Sequence, residues 1–509
     1  MAALNVSATV AVIGAGAMGS GIAQVAAAAG HPVWLFDVRE GAAAKSCEAV
    51  RANFRRLVEK GRMSSEQATR AIAALRVAER LEQVAEAQLV IEAIVEDLAA
   101  KQRLFQQLEA IVPPRALLAS NTSSVSITAI AAPLAHPERL AGLHFFNPAP
   151  LMALVEVVSG LATSEATRAT LFATASAWGK QAVYARSSPG FIVNRVARPF
   201  YAEGLRLLEE GVADVATVDA LLREGGGFRM GPFELMDLIG HDVNYAVTCS
   251  VYNAYFQDPR FKPSLAQQEL VSAGRLGRKS GRGFYDYSGS AAALVPRSEP
   301  PRPAPAVVRV EGDLGPAEPL VAAFAAAGIE VQRAIGQGLL RLPGCTLAFS
   351  DGRSATQRAA EQGLEQLVLF DLALDFAKPG RLALAKADQA GEAALVAAAG
   401  LLQAAGWVVS RVEDSPALVV LRTVAMLANE AADTVLQGVA KAEDIDRAMG
   451  YGVNYPRGPL AWASELGAVR VAAVIEALQG HYSEDRYRPS ALLKRCALTD
   501  RPLVGVEEC

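Results

Sequence analysis

Three glycines follow the first apolar run of the chain with the spacing Gly14-x-Gly16-x-x-Gly19. Such a turn brings backbone N–H groups and the positive end of a helix close to a pyrophosphate, because glycine has no side chain to block the approach. Asp37 ends the next apolar run, where a carboxylate accepts hydrogen bonds from a ribose and repels a 2′-phosphate. The pattern predicts NAD rather than NADP, although Arg39 lies two residues further on. A purely structural glycine turn is the alternative.

His144 is the histidine whose position best suits acid–base chemistry, among five in the chain. It lies near the end of one apolar run, and Glu156 lies within the next. An imidazole titrates near neutral pH, so it can take the proton of an alcohol during oxidation, and a carboxylate on its second nitrogen fixes the tautomer. On spacing alone, a core histidine and a surface glutamate remain an alternative.

The elements that would position these residues alternate between strand-like and helical patterns. This alternation predicts a mostly parallel sheet with helices on both faces. The predicted strands are 9–13, 34–37, 89–93, 117–119, 140–145 and 153–157, and the predicted helices are 20–29 and 96–111. After residue 187, the segments 191–212 and 214–224 have the periodicity of amphipathic helices without an intervening strand, which indicates a separate all-α domain.

An internal repeat organises the rest of the chain. When Pro189 is aligned with Pro416, four further pairs fall in register without a gap: Gly211 with Gly438, Asp219 with Asp446, Pro232 with Pro459, and Gly240 with Gly467. The preceding segment, 307–410, has strand-like runs but neither a GxGxxG motif nor a histidine. Leu421 stands where the first copy has Asn194. We therefore expect a degenerate α/β unit and a second, inactive copy of the helical domain.

The predicted domains follow from these patterns. Five prolines between residues 296 and 305 favour an extended, semi-rigid linker. The boundaries are 1–187 for a Rossmann-type dinucleotide-binding domain, 188–290 for the helical domain, 291–306 for the linker, 307–412 for the degenerate α/β domain and 413–509 for the second helical domain.

Composition excludes several classes of protein. The 509 residues are 51% hydrophobic and 20% charged, with 49 basic and 53 acidic side chains and no long single-sign run, so nucleic acid is not an expected partner. The five cysteines are scattered and form no CxxC pair, which predicts no bound metal and a cytoplasmic location. The apolar segment 10–30 holds four glycines between residues 14 and 21 and follows no basic residue, so we expect no membrane span.

Six motifs together resemble the L-3-hydroxyacyl-CoA dehydrogenase family over about residues 8–287. In family order they are the glycine turn 14–19, ASNTSS (119–124), GLHFFNP (142–148), LVEV (154–157), PGFIVNR (189–195) and GRKSGRGFY (277–285). The resemblance implies that His144 is the general base and Glu156 its partner. It also implies that Ser123 and Asn194 bind the substrate oxygen; neutral donors suit both its alcohol and its ketone form.

The complete set of predicted cofactor-binding residues is Gly14, Gly16, Ala17, Met18, Gly19, Asp37, Glu96, Lys101, Asn147 and Lys279. Of these, Glu96, Lys101, Asn147 and Lys279 are implied by the resemblance alone. Alternatives remain at this stage: Ser123 and Ser124 could cap a helix, and Lys279 could simply be solvated. A basic cluster, which comprises Arg55, Arg56, Lys60 and Arg62, either faces the phosphates of coenzyme A or is an exposed helix face.

The layout of an active first half and a degenerate second half resembles the branch of this family that oxidises 3-hydroxyadipyl-CoA to 3-oxoadipyl-CoA during phenylacetate breakdown. A 3-hydroxybutyryl-CoA or general 3-hydroxyacyl-CoA substrate is the alternative within the enzyme class. A non-catalytic NAD-binding relative is the alternative from another class. Because the helical domain forms the dimer contact in this family, the duplicated domain predicts either a homodimer or a pseudo-dimer within one chain.

Overall fold

A computed structural model describes residues 2–289 and 292–505. Met1, the predicted junction of helical domain and linker at Ser290 and Ala291, and residues 506–509 of the predicted second helical domain, which include Cys509, lie outside the described residues. The chain divides into two compact units: residues 1–195 with 437–453, and residues 196–436 with 454–509.

The first unit is an eight-stranded sheet with helices. Its strands are β1 (Val10–Ile13), β2 (Val33–Phe36), β3 (Leu75–Ala78), β4 (Leu89–Glu92), β5 (Leu117–Ser120), β6 (Leu140–Phe145), β7 (Leu154–Ser159) and β8 (Gln181–Arg186). Its helices are α1 (Ala17–Ala28), α2 (Ala42–Glu59), α3 (Ser65–Ala74), α4 (Leu98–Ile111), α5 (Ile127–Ala131), α6 (Glu165–Ala177), α7 (Val193–Val196) and, from far along the chain, α17 (Ala442–Val453).

The strand order is β3-β2-β1-β4-β5-β6-β7-β8, and every neighbouring pair is parallel except β6 with β7. This confirms the predicted doubly wound α/β fold. Because β1 pairs with both β2 and β4, the glycine turn after β1 lies where the strand order reverses, the position at which such sheets bind ligands. Fully buried side chains such as Val12, Leu35, Ile91 and Phe54 form the core.

Several predicted helix limits need correction. The first helix begins at Ala17 rather than at residue 20, and the helix predicted from Glu96 begins at Leu98 because the Asp97 side chain caps it. The single helix predicted over residues 191–212 is interrupted at Ala197. Strands β3 and β8 were not predicted.

The second unit contains the first helical copy, the degenerate α/β module and most of the second copy. Its helices are α8 (Arg198–Glu209), α9 (Val215–Ala220), α10 (Pro232–Ile239), α11 (His241–Ala254), α12 (Leu265–Ser272), α13 (Pro319–Ala326), α14 (Ala355–Gln362), α15 (Glu392–Ala404), α16 (Val420–Leu436), α18 (Pro459–Leu466), α19 (Ala468–Tyr482) and α20 (Ala491–Thr499). Its strands are β9 (Val307–Glu311), β10 (Glu330–Ala334), β11 (Leu339–Leu342), β12 (Cys345–Phe349), β13 (Leu367–Phe370), β14 (Arg381–Lys386) and β15 (Val408–Arg411).

These strands form a second sheet in the order β10-β9-β11-β12-β13-β14-β15. Strands β12 and β13 are parallel, β14 is antiparallel to β13, and β15 is parallel to β14. The same pattern relates β5, β6, β7 and β8 of the first sheet. The second module therefore retains one half of the first sheet's topology.

The two helical copies contact each other through equivalent helices, because α8 packs against α16. Arg422 of the second copy lies 2.7 Å from Glu203 of the first, and both side chains are fully buried. Glu203 also lies 3.3 Å from Arg486 of the second copy, and its register partner Glu430 lies 3.2 Å from Arg260 of the first copy. Arg260 and Arg486 are equivalent residues of the similar segments DPRFKPS (258–264) and EDRYRPS (484–490). This reciprocal pattern is that of an isologous interface within one chain.

The predicted linker has no helix or strand over residues 292–306. It is nevertheless hydrogen-bonded to the degenerate module, since the N–H of Glu299 donates to the carbonyl of Val409 at 2.8 Å. No helix in the described part of the chain combines the length and apolarity that a membrane crossing requires.

Candidate active site

The glycine turn has the geometry that a bound pyrophosphate requires. Gly14 has a φ of +104°, and a Cβ there would collide with the carbonyl of Ala93. A Cβ on Gly19 would collide with the carbonyl of Gly14. Over Gly16, in contrast, nothing lies within 4 Å of an added Cβ, so the backbone is open to a ligand at this residue.

Helix α1 begins directly after this open position. Its N-cap is Gly16, which offers no side chain to the first N–H groups, and its first turn has no acidic residue. The N–H groups of Ala17 and Met18 are thus available to an anion at the positive end of the helix dipole. The turn and helix fit the diphosphate of a dinucleotide such as NAD.

Asp37 follows the end of β2, beside the turn. Its Oδ2 accepts the N–H of Ala15 at 2.8 Å, and the Nε of Arg39 lies 3.1 Å from its Oδ1. The hydrogen bond from the Arg39 side chain lowers the pKa of Asp37 to about 2, against the opposing effect of burial. A permanent negative charge therefore stands where a ribose would bind.

Glu96 accepts hydrogen bonds from the serine-rich loop that follows β5. Its Oε1 accepts the Thr122 hydroxyl at 2.7 Å and the Ser123 N–H at 2.8 Å, while Lys101 lies 3.1 Å from its Oε2. Burial opposes ionisation of Glu96, but Lys101 and these hydrogen bonds prevail and lower its pKa to about 2. Lys101 is itself buried, with Glu92 at 2.7 Å, so its ammonium positions Glu96.

The hydroxyls of Ser123 and Ser124 point to Glu96, at 3.3 Å and 3.0 Å from its Oε1. Neither serine caps the next helix, because the side chain of Ser126 does so. The helix-cap alternative is therefore wrong, and Ser123 remains a half-buried donor in the loop that follows β5.

His144 and Glu156 are direct neighbours across the antiparallel strands β6 and β7. Nδ1 of His144 lies 2.6 Å from Oε2 of Glu156, and both side chains are buried. The rings of Phe146 and Phe191 pack against the imidazole at centroid distances of 4.5 Å and 5.8 Å. Because the carboxylate holds Nδ1, Nε2 is the nitrogen that can exchange a proton with a substrate.

The second oxygen of Glu156 fixes the segment that precedes Asn194. Oε1 accepts the N–H groups of Ile192 and Val193 at 3.1 Å and 3.0 Å. Asn194 is half-buried at the start of α7, and no hydrogen bond links its amide to another described residue. The amide is thus available for a ligand.

Three other predictions have simpler surroundings. Asn147 is exposed and precedes a cis peptide bond to Pro148. Lys279 belongs to the second unit, where its Nζ lies 2.7 Å from Asp242. All four residues of the basic cluster on and after α2 are exposed, and Arg55 contacts Glu48 at 3.3 Å.

Sequence reasoning missed that α17, a helix of the second copy, completes the first unit. It contacts β7 and β8, and a Cβ on its Gly452 would collide with the side chains of Leu154 and Val193. Glycine at this position permits close packing beside the strand that carries Glu156. The repeat pairs Gly452 with Gly225, where an added Cβ would collide with the carbonyl of Arg381 in β14, and this pairing of two glycines is the sequence signal that was available.

In the degenerate module, an aspartate occupies the position that is equivalent to His144 in the repeat. Asp371 lies 227 residues after His144, and its pKa is raised to about 6 by complete burial. Its oxygens accept N–H groups at distances of 2.7 to 3.0 Å from Val419, Val420 and Leu421. One aspartate thus anchors the helix start, as Glu156 does in the first copy, without an imidazole.

Three protein-family models match segments of this chain. Residues 9–188 match "3-hydroxyacyl-CoA dehydrogenase, NAD binding domain". Residues 190–287 and again 418–503 match "3-hydroxyacyl-CoA dehydrogenase, C-terminal domain". Residues 347–416 match "3-hydroxybutyryl-CoA dehydrogenase reduced Rossmann-fold domain". The double match of the C-terminal domain agrees with the internal repeat.

Relatives match either the whole chain or its first half. The chain is 45% identical over 493 residues to a 3-hydroxyadipyl-CoA dehydrogenase of Escherichia coli K12, covering 97% of this chain and 98% of that protein. A probable 3-hydroxybutyryl-CoA dehydrogenase of Bacillus subtilis is 43% identical over 54% of this chain and 96% of its own.

A crystal structure named 3-hydroxybutyryl-CoA dehydrogenase, from Escherichia coli K12, superposes with a TM-score of 0.89 at 44% identity, over 98% of this chain and 99% of that chain. Its full-length coverage includes the degenerate module and both helical copies. The predicted recognition, fold class and cofactor are thereby confirmed, and a non-catalytic relative is not supported. The chain belongs to the 3-hydroxyacyl-CoA dehydrogenase family and is an NAD-dependent oxidoreductase.

Proposed function

We propose that the protein oxidises 3-hydroxyadipyl-CoA reversibly to 3-oxoadipyl-CoA. The reaction class rests above all on the buried pair of His144 and Glu156, whose Nδ1 and Oε2 atoms are 2.6 Å apart. The choice of substrate rests on the relative named 3-hydroxyadipyl-CoA dehydrogenase, which matches nearly the full length of this chain. When bound, NAD⁺ accepts the hydride that leaves C3 of the substrate.

His144 acts as the general base in this proposal. Its Nε2 takes the proton of the 3-hydroxyl group while its Nδ1–H donates to Glu156. The carboxylate stabilises the imidazolium that forms and keeps the ring in one tautomer. In the reverse direction the imidazolium returns the proton to the 3-keto oxygen.

Asn194 and Ser123 hold the substrate oxygen. The Asn194 amide has no described protein partner, and the hydroxyl of the half-buried Ser123 has only a 3.3 Å contact to Glu96. Both donors are neutral, so they serve the alcohol and the ketone alike. Glu96, held by Lys101, keeps the serine loop in place.

NAD is bound by the glycine turn, the first turn of α1, Asp37, Glu96 and the further predicted residues Lys101, Asn147 and Lys279. The open backbone over Gly16 and the ionised Asp37 support this assignment. Asp37 selects NAD because a 2′-phosphate would meet a second negative charge.

The finer biological context is part of the same proposal. We place the enzyme in the cytoplasm, in phenylacetate breakdown, and assign the second helical copy to an intrachain pseudo-dimer. The reciprocal contacts of Arg260 with Glu430 and of Arg486 with Glu203 support the pseudo-dimer.

A second candidate substrate is 3-hydroxybutyryl-CoA, because the full-length structural relative carries that name. Steady-state NADH formation with both substrates separates the two. We expect kcat/KM to be at least about tenfold higher with 3-hydroxyadipyl-CoA, and H144A to be inactive with both. Equal or reversed values would favour the second candidate, and a fully active H144A variant would overturn the mechanism.

A further inference from the structure

The amide of Asn194 has no hydrogen-bond partner among the residues that the structure describes, so its position depends on the backbone of α7 and on the residues that flank it. Val193 precedes Asn194, and Arg195 follows it. Both flanking side chains are buried, with 3% and 2% of their surfaces exposed. Each of them contacts the segment 437–453 of the second helical copy. The surroundings of Asn194 therefore include a segment of the inactive copy.

The first of these contacts joins Arg195 to Gln437. Nη1 of Arg195 donates to Oε1 of Gln437 at 2.9 Å. Strand β8 holds the backbone of the same segment, because Nη2 of Arg186 donates to the carbonyl of Gln437 at 2.5 Å. The N–H of Arg186 also donates to the carbonyl of Val439 at 2.7 Å. The start of the segment is thus bonded both to the sheet and to the residue that follows Asn194.

The second contact is made by Gly452, near the end of α17. A Cβ on this glycine would lie 2.7 Å from Cδ2 of Leu154 and 3.0 Å from Cγ2 of Val193. Both side chains are buried, so an added methyl group would have to displace one of them. Leu154 begins β7, and the N–H of Val193 donates to Oε1 of Glu156. The end of α17 therefore packs directly against the residue that precedes Asn194.

The contact of Gly452 has a counterpart within the second unit. A Cβ on its register partner Gly225 would collide with the carbonyl of Arg381, which begins β14. Strand β14 is antiparallel to its neighbour β13, as β7 is to β6. The second copy, however, has Leu421 where the first has Asn194. One glycine of the pair thus lies beside a proposed substrate ligand, and the other does not.

We propose that residues 437–453 hold Asn194 in the position from which it binds the substrate oxygen, so that catalysis depends on the inactive copy. Gln437 and Gly452 are the positioning residues: one fixes the residue after Asn194, and the other fixes the residue before it. This inference rests on the proposed function, because it requires that Asn194 binds the reacting oxygen. A displacement of about 1 Å at a reacting group can cost about 10²-fold in rate, so a small shift of α7 is sufficient.

The first test compares G452A with its matched control G225A. We expect G452A to lower kcat about tenfold or more with both candidate substrates. Affinity for NADH should change less than about twofold, because the glycine turn follows β1, which is four strands away from β7 in the sheet. G225A adds the same methyl group against a backbone carbonyl and should leave kcat within about twofold of the wild-type value.

Steady-state NADH formation and NADH fluorescence titration measure these effects, at a temperature at which circular dichroism shows that the proteins are folded. Equal losses of kcat in G452A and G225A would overturn the proposal, because they would report only a general effect of disturbed packing. An unchanged kcat in G452A would overturn it as well.

The second test uses Gln437, which is exposed, so that its replacement should leave the fold intact. Q437A removes the acceptor for Arg195 and should lower kcat by about three- to tenfold. Q437E keeps an acceptor at the same position and should restore kcat to within about twofold of the wild-type value. Equal values of kcat in wild type, Q437A and Q437E would overturn the role of Gln437.

The third test shows whether the segment acts through Asn194. If it does, G452A should have no further effect once the amide is gone, and N194A/G452A should have the same kcat as N194A within about twofold. If G452A lowers kcat by the same factor in both backgrounds, the proposal is overturned while the role of Asn194 stands. If N194A keeps the wild-type kcat, the proposed role of Asn194 itself fails.

Discussion

Glu156 holds His144 with one oxygen and a turn of backbone with the other. Its Oε2 lies 2.6 Å from Nδ1 of His144, and its Oε1 accepts two N–H groups just before Asn194. A single buried carboxylate thus orients the proposed base and the start of the helix that carries a proposed substrate ligand.

Replacement of Glu156 by glutamine should reduce kcat by about 10²- to 10⁴-fold. The amide retains the shape of the carboxylate but not its charge, so the imidazolium loses its counter-ion and the tautomer is no longer fixed. The measurement is steady-state NADH formation as a function of pH.

The control for this prediction is a double variant. Because the two residues act as one unit, H144A and H144A/E156Q should have nearly equal rates. If the loss of rate in H144A/E156Q equals the product of the losses in the two single variants, the residues act independently and the pair mechanism is contradicted.

Replacement of Asn194 by alanine should lower kcat by about 10²-fold or more, because one donor to the developing oxygen charge is lost. NADH affinity should change little, since Asn194 is not among the predicted cofactor ligands. Stopped-flow turnover and NADH fluorescence titration measure the two effects. An unchanged kcat would exclude Asn194 from contact with the reacting oxygen.

Replacement of Asp37 by asparagine should relax the choice of cofactor. The amide oxygen can still accept the Ala15 N–H, whereas the charge that repels a 2′-phosphate is removed and Arg39 is released from its partner. We expect the ratio of kcat/KM for NAD to that for NADP to fall by about tenfold or more. A constant ratio would show that another residue selects the cofactor.

Replacement of Glu96 by glutamine should destabilise the cofactor-free protein in a pH-dependent manner. The folded pKa of about 2 lies below the ordinary value of 4.5, so ionised Glu96 stabilises the fold above about pH 4.5 and this contribution is lost as pH falls towards 2. Because about a third of the side chain is exposed, we expect about 1 kcal/mol at pH 7. Urea unfolding of both proteins at pH 7, 5 and 4 should show that the difference between their free energies of unfolding becomes smaller as the pH falls. A difference that stays constant would contradict this role of Glu96.

Replacement of Arg422 by methionine should lower the free energy of unfolding by about 3–5 kcal/mol, because Glu203 loses its main counter-ion in a fully buried position. The double variant with Glu203→Gln should recover part of the loss. Urea unfolding of the four proteins in a double-mutant cycle measures the coupling. If the losses of stability in the two single variants simply add up in the double variant, the two side chains are not coupled and the ion pair does not stabilise the contact between the helical copies.

Local sequence patterns predicted much of the fold and site. The glycine turn, Asp37 and the partnership of His144 with Glu156 follow from short motifs next to apolar runs. Strand β10, in contrast, has the sequence EVQRA and is mostly exposed, so it lacks the apolar signal of a buried strand. Strand β14 was missed because its short apolar run begins with Arg381 and ends with Lys386.

Contacts between distant segments could not be predicted in this way. Nothing in the spacing of Glu92 and Lys101 shows that they form a buried ion pair, because that depends on where α4 packs. The packing of Gly452 against Val193 joins residues from the two repeats, and periodicity reports only neighbours along the chain.

Helix α17 has a consequence for biosynthesis. The first unit needs residues 437–453 as well as residues 1–195, so its last residue is translated 258 residues after residue 195. At about 5–20 residues per second, the nascent sheet waits roughly 13–50 s with the α17-facing sides of β7 and β8 uncovered. A chain that is truncated after the linker therefore lacks the helix that packs against β7 and β8, and its first unit is incomplete.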